Sequence, residues 1–326
     1  MRIKSKRKDE HMYDTIIIGS GPAGLTAGIY ASRANMKTLM IASAFNPSLI
    51  TTTDMVENYP GFPDGITGFE LIELFTRQAK KFGLEIVEKD VSAVTKTAEG
   101  WEVSAGGETY RSLALIIATG TEYAHLNVPG EEELTGRGVS YCATCDGPFY
   151  RDSRVVVVGG GDTAVQEALF LTRFASEVII IHRRDRLRAT AILQERALAH
   201  EKIRFEWNAV VEKITGDTAV KGIVLQDVND PDRKKTLEVE GVFVFTGYIP
   251  NTSFLKGIVD LDDVGYIRVD ENMSTSAPGV FACGDCTKKL LRQVVTACGD
   301  GATAAFAAEQ YISDLKGTSY GSWNKP

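Results

Sequence analysis

The chain has 326 residues, of which 44% are hydrophobic, and its 36 basic and 43 acidic residues give a formal net charge of -7. A chain of this length usually divides into two domains, and the acidic balance argues against a surface that binds nucleic acid or anionic lipid. No stretch reaches the roughly 18 uninterrupted apolar residues that a membrane span needs, so we expect a cytoplasmic protein with neither nucleic acid nor a membrane among its partners.

The first part of the chain predicts a nucleotide-binding unit. A basic segment, residues 1–11, leads into no signal-peptide core and is expected to form a flexible N-terminal arm. The apolar run 15–18 then ends in the glycine motif GSGPAG, which is followed by a helical pattern at 25–31 and an apolar strand at 38–42. Strand, glycine turn, helix and strand in this order are typical of a βαβ unit that binds a dinucleotide.

The glycines of this motif have separate tasks. Gly19 allows the tight turn, Gly21 lets the backbone approach a pyrophosphate, and Gly24 permits close packing of the helix on the strand. An acidic residue commonly holds a ribose hydroxyl after the second strand, but this strand ends in Ala42 and Ser43. Adenosine binding at this site is therefore expected to use other groups.

Two similar strand endings indicate two domains of similar build. Strand patterns at 86–94, 101–103 and 115–118 predict a meander that ends in Ala-Thr-Gly, and a strand at 242–245 also ends in Thr-Gly. Linker-like segments, with Pro, Gly and polar residues, follow both endings.

We therefore predict an α/β fold with two Rossmann-like dinucleotide-binding domains, each with a three-layer ββα architecture. The first domain is discontinuous and comprises residues 12–123 and 251–326, with a helix of small residues at 299–311. The second domain, residues 124–250, is inserted between these two parts.

The inserted domain repeats the nucleotide-binding pattern with a different ending. A buried strand at 154–158 runs into Gly-Gly-Gly-Asp-Thr, and a helix at 164–174 and a strand at 178–181 follow. The cluster HRRDRLR, residues 182–188, stands where an NAD site would have a carboxylate for the 2'-hydroxyl. Guanidinium groups at this place suit a 2'-phosphate and predict NADPH, although a solvated charge run at a helix start has the same composition.

Cysteine spacing indicates the type of reaction. The five cysteines include two C-x-x-C pairs, Cys142 with Cys145 and Cys283 with Cys286. Such a pair can close a small disulfide ring, and Asp146, next to Cys145, is a candidate acid for protonating a leaving thiolate. The alternatives are a zinc site formed by all four cysteines, or cysteines that serve only as small buried apolar residues.

A set of motifs occurs together between about Tyr13 and Gly317. They are GSGPAG, VENYPG, ATG, GRGVSYCATCDG, GGGDTAVQEALFL, HRRDRLRA, GVFACGD and RQVVTACGDGA. In this combination the chain resembles the low-molecular-weight, bacterial-type thioredoxin reductases. The resemblance implies a homodimer of two-domain subunits that passes electrons from NADPH to FAD, then to the C-x-x-C disulfide of the NADPH domain, and then to thioredoxin. It also implies that the two domains alternate between two orientations.

The resemblance assigns roles by position. Cys145 would be the thiol that faces the flavin, Cys142 the interchange thiol that attacks the thioredoxin disulfide, and Asp146 the acid-base residue. The residues implied for FAD are Gly19, Ser20, Gly21, Pro22, Ala23, Gly24, Gly120, Gly284, Asp285, Arg292, Gln293 and Val294. The residues implied for NADPH are Gly159, Gly161, Asp162, Thr163, His182, Arg183, Arg184 and Arg188. No metal site is expected.

The chain departs from the family's usual pattern in three places. Pro47–Ile50 replaces Gly-Gly-Gln-Leu close to the expected FAD, which removes two permissive glycines and an amide. Leu291 replaces an aromatic residue that commonly precedes Arg-Gln. Cys283 and Cys286 replace small apolar residues, and they are expected either to pack like them or to form a second redox pair.

Other functions fit parts of the same pattern. One is a related flavoprotein reductase that acts on a glutaredoxin-like protein or a peroxidase component, although peroxidase-linked forms usually carry an extra N-terminal domain and the segment before Tyr13 leaves no room for it. A flavoprotein thiol oxidase would not need the arginine cluster. From a different class, a zinc-stabilised nucleotide-binding module would have no redox turnover.

Overall fold

The computed structural model describes residues 12–43, 48–53 and 55–319. The predicted N-terminal arm and Pro47 lie outside the described residues. The chain divides into two compact units: the first is formed by the residues up to Glu122 and from Pro250 onward, and the second is Tyr123–Ile249.

Strands and helices alternate at the start of each nucleotide-binding pattern, and runs of consecutive strands follow. The strands are β1 (Met12–Ile18), β2 (Thr38–Ala42), β3 (Glu85–Glu88), β4 (Val91–Lys96), β5 (Trp101–Ala105), β6 (Glu108–Ile117), β7 (Thr121–Tyr123), β8 (Val139–Ser140), β9 (Arg154–Val158), β10 (Glu177–His182), β11 (Ile203–Trp207), β12 (Ala209–Gly216), β13 (Val220–Asp227), β14 (Lys234–Glu238), β15 (Gly241–Val244), β16 (Tyr248–Pro250) and β17 (Val280–Ala282). The helices are α1 (Pro22–Arg33), α2 (Gly68–Lys81), α3 (Glu131–Leu134), α4 (Ala143–Asp146), α5 (Asp162–Leu171), α6 (Ala191–Ala199) and α7 (Val294–Lys316). Short 3-10 turns stand at Leu49–Thr52, Gly147–Tyr150, Ser253–Leu255 and Gly284–Cys286.

The sheet of the first unit combines parallel strands with an antiparallel meander. Its order is β3-β2-β1-β6-β5-β4, and β17 also pairs with β6. The pairs β1–β2, β1–β6, β2–β3 and β6–β17 are parallel, whereas β4–β5 and β5–β6 are antiparallel. The carboxyl ends of β1, β6 and β17 therefore meet at one edge of the sheet, where nucleotide sites of this architecture usually form.

Two cores enclose the parallel strands of the first unit. On one face, Ile17 of β1 packs in a cluster with Leu25 of α1 and Ala304 of α7. On the other face, Ile16 packs in a cluster with Trp101 of the meander. Successive residues of β1 enter different cores because side chains along a strand point to alternate faces. A strand buried on both faces reads as a continuous apolar run, which explains the sequence pattern at 15–18.

The second unit repeats this architecture. Its main sheet, β11-β10-β9-β15-β8, is parallel throughout, and β12-β13-β14 form an antiparallel meander. Val157 of β9 packs in a cluster with Leu171 of α5, and Val156 packs in a cluster with Ile223 of the meander. The predicted α/β fold of two similar three-layer domains is confirmed.

The structure differs from the sequence prediction mainly at the ends of elements. β2 and β9 have the predicted bounds, and the helix predicted at 164–174 is α5. The helix predicted at 299–311 is the longer α7, because Gln293 and Thr296 form a capping box at its start and Gly317 ends it in a left-handed conformation. The segment 86–94 is two strands, since β3 pairs parallel with β2 and β4 begins the meander.

Small residues let α7 approach α1 closely. A Cβ at Gly301 of α7 would lie 2.1 Å from the carbonyl oxygen of Ala23, so a side chain at this position would force the helices apart. The start of α1, with the glycine motif before it, is therefore held against α7. In the described ranges, neither α7 nor any other helix is both long and apolar enough to cross a membrane.

The chain passes between the units through two paired strands. β7 and β16 form a two-stranded sheet. Next to it, the carbonyl oxygen of Gly120 accepts the N–H of Asn251 at 3.1 Å, and that of Gly247 accepts the N–H of Ala124 at 3.0 Å. The second unit therefore begins and ends at adjacent strands.

Candidate functional site

The redox candidate is a disulfide on a single helical turn. Cys142 and Cys145 are disulfide-bonded, with their Cα atoms 5.3 Å apart, and α4 lies between them. This turn follows the edge strand β8, and the fully buried Ala143 anchors it in the second unit's core. Cys142 is half-buried and Cys145 is exposed. The two cysteines of the predicted C-x-x-C pair are thus joined by a disulfide, and one of them is exposed to solvent.

Hydrogen bonds fix the first cysteine of the pair. The N–H of Cys145 donates to the sulfur of Cys142 at 3.1 Å, and the N–H of Cys142 donates to the hydroxyl of Ser140 at 3.0 Å. A donor aimed at sulfur stabilises a thiolate more than a thiol. This geometry therefore favours a thiolate at Cys142 when the pair is reduced. Asp146 ends α4, and its N–H donates to the carbonyl oxygen of Cys142 at 3.1 Å.

A polar network supports the strand before the dithiol. Tyr141 donates to Glu131 at 2.7 Å, and the Tyr141 hydroxyl lies 2.6 Å from Nδ1 of His125. Glu131 is almost fully buried and accepts the N–H groups of Leu126 and Asn127 at 2.8 and 2.6 Å. Burial and the neighbouring carboxylate raise the pKa of Tyr141, so its hydroxyl stays protonated as a donor. Sequence reasoning missed this network because no motif joins residues at these separations.

The first glycine turn is built for close backbone approach. Gly19 has a φ of 109°, and a Cβ there would lie 2.2 Å from the carbonyl oxygen of Ala118 at the end of β6. A Cβ at Gly24 would lie 2.0 Å from the carbonyl oxygen of Gly19. The turn therefore sits against the ends of β1 and β6, and α1 begins at Pro22 with no side-chain cap on its N–H groups. Uncapped N–H groups at a glycine turn are what a pyrophosphate needs.

A carboxylate with one buried and unpaired oxygen, that of Asp285, lies three residues after the end of β17. Oδ1 of Asp285 is buried and accepts no hydrogen bond from the described residues. Burial raises the pKa of Asp285, while the positive charges of Lys289 and Arg292 oppose that shift. A buried carboxylate oxygen normally accepts a hydrogen bond, and the hydroxyl groups of a ribityl chain could donate one to Oδ1 of Asp285. The residues of the first unit therefore fit the flavin that the sequence predicted.

The residues just before α7 lie around the 3-10 turn Gly284–Cys286, which contains Asp285. Arg292 donates from Nε to the carbonyl oxygen of Asp285 at 3.3 Å and from Nη2 to that of Thr287 at 3.2 Å. Its guanidinium also stacks over the Tyr266 ring, 4.0 Å from the centroid. Gln293 accepts from the amide of Asn58 at 3.0 Å, which joins the VENYPG motif to the start of α7. The motifs of the predicted flavin site in these regions are thus brought together, whereas Leu291 is half exposed.

The second glycine turn packs directly on His182. A Cβ at Gly160 would lie 2.5 Å from Nδ1 of His182, so only glycine leaves room for the ring. Nε2 of His182 is buried and has no hydrogen-bond partner among the described residues. Burial lowers the pKa of His182, and the charges of Arg188, Arg183 and Arg184 lower it further. The imidazole is therefore held neutral beside a strongly positive loop.

The arginine-rich loop is tied to this turn through its backbone. The N–H of Arg188 donates to the carbonyl oxygen of Gly160 at 2.7 Å. The N–H of Thr190 donates to Oδ1 of Asp162 at 2.6 Å. Arg183 and Arg184, like Arg188, are exposed, so their guanidinium groups are open to a ligand. Asp162 thus holds the loop on the turn, which sequence reasoning did not foresee.

One contact of the second unit involves a tyrosine that the sequence did not single out. The hydroxyl groups of Thr163 and Tyr248 are hydrogen-bonded to each other. Thr163 stands in the first turn of α5, where a pyrophosphate is expected, and Tyr248 begins β16. The nucleotide turn is therefore in contact with one of the strands through which the chain leaves the second unit.

The second C-x-x-C pair is not joined by a disulfide. Cys283 and Cys286 are free and fully buried, and they belong to separate cores of the first unit. Burial raises the pKa of Cys283 and raises that of Cys286 to about 11, so both thiols stay neutral. In the part of the chain that the structure describes, no group of three or more His, Cys, Asp or Glu side chains could hold a metal ion. This arrangement favours packing over a second redox pair and does not support a zinc site.

Comparison with known proteins agrees with this geometry. The profile of the pyridine nucleotide-disulphide oxidoreductase family matches residues 13–301. The thioredoxin reductase of Listeria monocytogenes is 48% identical over 309 residues, which cover 94% of this chain and 96% of that protein. That of Bacillus subtilis is 46% identical over 310 residues, covering 95% and 98%.

Solved structures give the same result. Lactococcus lactis thioredoxin reductase, in the FR conformation, superposes with a TM-score of 0.91 at 40% identity and covers 93% of this chain and 100% of its own. The T. acidophilum thioredoxin reductase has a TM-score of 0.88 at 36% identity and covers 94% of this chain and 100% of its own. The chain therefore belongs to the thioredoxin reductases, flavin- and pyridine nucleotide-using members of the pyridine nucleotide-disulphide oxidoreductase family.

Proposed function

We propose that the chain reduces the disulfide of a thioredoxin with electrons from NADPH, by way of FAD and the Cys142–Cys145 pair. The observation that carries the proposal is the disulfide on α4 in a unit that also holds a nucleotide turn with an arginine-rich loop. The relatives named thioredoxin reductase support the choice of thioredoxin as acceptor.

The first unit is proposed to bind FAD. The turn Gly19–Gly24 and the uncapped start of α1 would hold the pyrophosphate, and Asp285 would accept hydrogen bonds from the ribityl hydroxyls. Gly120, Gly284 and Arg292–Val294 would line the flavin's surroundings at the same edge of the sheet. FAD, when bound, supplies the chemistry that links a two-electron hydride donor to a disulfide.

The second unit is proposed to bind NADPH. Gly159, Gly161 and Thr163 would contact the pyrophosphate at the start of α5. Arg183, Arg184 and Arg188 would hold the 2'-phosphate by charge-assisted hydrogen bonds, beside the neutral His182. We assign Asp162 to holding the loop, since its carboxylate already accepts the N–H of Thr190.

The reduced dithiol then acts on the partner protein. The Cys142 thiolate, stabilised by the N–H of Cys145, attacks one sulfur of the partner's disulfide and forms a mixed disulfide. The partner's displaced thiolate takes a proton, for which Asp146 is the nearest acid along the chain. Cys145 next attacks the Cys142 sulfur, which re-forms the intramolecular disulfide and releases the partner as a dithiol.

Oligomeric state and compartment belong to the same proposal. The first unit exposes large apolar side chains on three helices, Tyr30 on α1, Phe69 on α2 and Phe306 on α7, and this supports a homodimer formed through that unit. The free thiols Cys283 and Cys286 and a dithiol that must be reduced to work suit the reducing cytoplasm.

The test uses the purified full chain. We expect a yellow protein whose flavin absorbance bleaches with NADPH much faster than with NADH. It should then reduce thioredoxin, with one disulfide reduced for each NADPH oxidised. A glutaredoxin-like protein and a peroxidase component serve as parallel acceptors, and faster reduction of either would reassign the partner. A colourless protein that holds stoichiometric zinc would overturn the proposal.

A further inference from the structure

A buried ion pair lies next to the proposed flavin site. Nζ of Lys289 and Oδ2 of Asp300 form an ion pair, and their side chains are only 14% and 17% exposed. Asp300 stands on α7, and Lys289 lies in the loop that leads to it. Neither residue is among those that the sequence motifs assigned to a cofactor. Long charged side chains are rarely buried to this degree without a specific partner or task.

The aspartate of this pair also holds the turn that carries Asp285. Oδ2 of Asp300 accepts the N–H of Gly284 at 3.1 Å. Gly284 has a φ of 75°, and a Cβ there would lie 2.7 Å from the Cβ of Ala23 at the start of α1. The turn is therefore pinned between α7, through Asp300, and the helix start that would receive the pyrophosphate.

The other side of the turn is fixed as well. Thr287 donates from its hydroxyl to the carbonyl oxygen of Gly284 at 2.7 Å, and Arg292 donates to that of Asp285 at 3.3 Å. With the main chain held on both sides, the position of the Asp285 side chain is set by the turn. Its buried Oδ1 has no partner among the described residues, so its position decides what it can bind.

The lysine balances charge around that carboxylate. The charge of Asp300 disfavours ionised Asp285, whereas the charges of Lys289 and Arg292 favour it. Without Lys289, two carboxylates would face the same buried turn with a single cation nearby. Like charges at close range in a buried site are costly.

We propose that Lys289 and Asp300 are a positioning pair for the flavin: Asp300 fixes the Gly284–Asp285 turn through its hydrogen bond, and Lys289 neutralises Asp300 beside Asp285. The inference deepens the proposed function and rests on it, because it takes the first unit as the FAD site. Asp300 contacts the turn and Lys289 contacts Asp300, so the pair would act on FAD through the position and charge of Asp285, and we expect its effect in FAD affinity.

The main alternative is that the pair only fastens α7, and the chain offers a matched control. Asp14 accepts the N–H of Lys37 at 2.9 Å and pairs with Lys316, the last residue of α7, at 2.5 Å. Its side chain is 18% exposed, which matches Asp300. Both aspartates thus hold α7 through one lysine and accept one backbone N–H, but only Asp300 reaches the turn with Asp285.

The experiment measures FAD affinity and fold stability separately. The full chain and the variants Asp300→Ala, Asp300→Asn, Lys289→Met and Asp14→Ala are stripped of flavin and titrated with FAD by fluorescence quenching. Thermal unfolding of each apo protein is followed by circular dichroism. We expect Asp300→Ala and Lys289→Met to weaken FAD binding by about tenfold or more, since each removes a charged partner from a buried group.

The conservative and control variants decide between the readings. Asp300→Asn keeps an oxygen for the Gly284 N–H and should retain more affinity than Asp300→Ala. Asp14→Ala should bind FAD within about twofold of the unaltered chain, even where it lowers the melting temperature. If Asp14→Ala and Asp300→Ala lose FAD affinity equally, or if neither loses any, the positioning role is wrong. If Asp300→Ala does not fold, Asp300→Asn and Lys289→Met against Asp14→Ala give the same comparison.

The same FAD titration distinguishes failure of the proposed function from failure of the positioning role. An unaltered chain that binds no FAD would remove the flavin site itself, and the positioning role with it. An unaltered chain that binds FAD while all variants match it would remove only the role of the pair.

Discussion

The N–H of Arg188 donates to the carbonyl oxygen of Gly160 at 2.7 Å, so one hydrogen bond joins the arginine-rich loop to the nucleotide turn. The loop expected to hold the 2'-phosphate and the turn expected to hold the pyrophosphate are therefore fixed to each other. A ligand that engages both gains from this arrangement, because the two sites need not be ordered separately.

Replacing Arg183 and Arg184 together by alanine should weaken the binding of NADPH and leave the binding of NADH nearly unchanged. Both guanidinium groups are exposed beside the turn and are placed to meet a 2'-phosphate, which NADH lacks. We expect the KM for NADPH to rise by about tenfold or more, with the KM for NADH changed by less than about twofold. Arg233→Ala, an exposed arginine paired with Asp227, is the control. An unchanged NADPH/NADH preference would refute the 2'-phosphate assignment.

Asp162→Ala should loosen the same loop without removing an arginine. The change leaves the N–H of Thr190 without its acceptor at 2.6 Å. We expect the KM for NADPH to rise several-fold, with FAD content unchanged because Asp162 lies in the second unit. Asp162→Asn keeps an acceptor oxygen and should stay close to the unaltered enzyme in steady-state kinetics. A larger loss for Asp162→Asn than for Asp162→Ala would contradict the positioning role.

Cys142→Ser should separate the two halves of the reaction. The interchange thiol is lost, so thioredoxin reduction should stop, while NADPH should still bleach the flavin in a stopped-flow measurement. Cys283→Ala is the control, because Cys283 is a free cysteine that is buried in a core of the first unit. It should keep thioredoxin reduction. Loss of flavin bleaching in Cys142→Ser would mean that the proposed electron path is wrong.

Cys286 should make the fold sensitive to alkaline pH. Burial raises the pKa of this thiol from 9.0 to about 11, whereas in the unfolded chain it titrates near its ordinary value. Its contribution to the free energy of unfolding is therefore fully present below pH 9 and is lost as the pH rises through about 11, by about 3 kcal/mol. Urea unfolding between pH 8 and 11 should show this decline, with a smaller decline in Cys286→Ala. Equal declines would assign the effect to other groups.

Local patterns predicted the framework of the site well. The run 15–18 and the strand 38–42 are apolar because both faces are covered, so the βαβ unit could be identified without knowledge of the fold. The C-x-x-C pair at Cys142 and Cys145 was equally readable, because residues three apart can close a ring on one helical turn.

Contacts between residues that are distant in the chain could not be predicted from the sequence. Lys289 and Asp300 are far enough apart in sequence that nothing links them until α7 folds back along the turn. Asp162 stands inside a motif associated with nucleotide binding, yet its carboxylate is occupied by Thr190. Cys283 and Cys286 have the spacing of a redox pair, but the 3-10 turn between them places them in different cores.

The pairing of β7 with β16 also bears on how such a chain could have been assembled. Because the second unit starts and finishes side by side, a stretch of coding sequence could be gained or lost there without cutting either main sheet. A direct link from Glu122 to Pro250 would leave the first unit's strands in their present order. The architecture is therefore open to exchange of the inserted module, with one host fold accepting different electron donors.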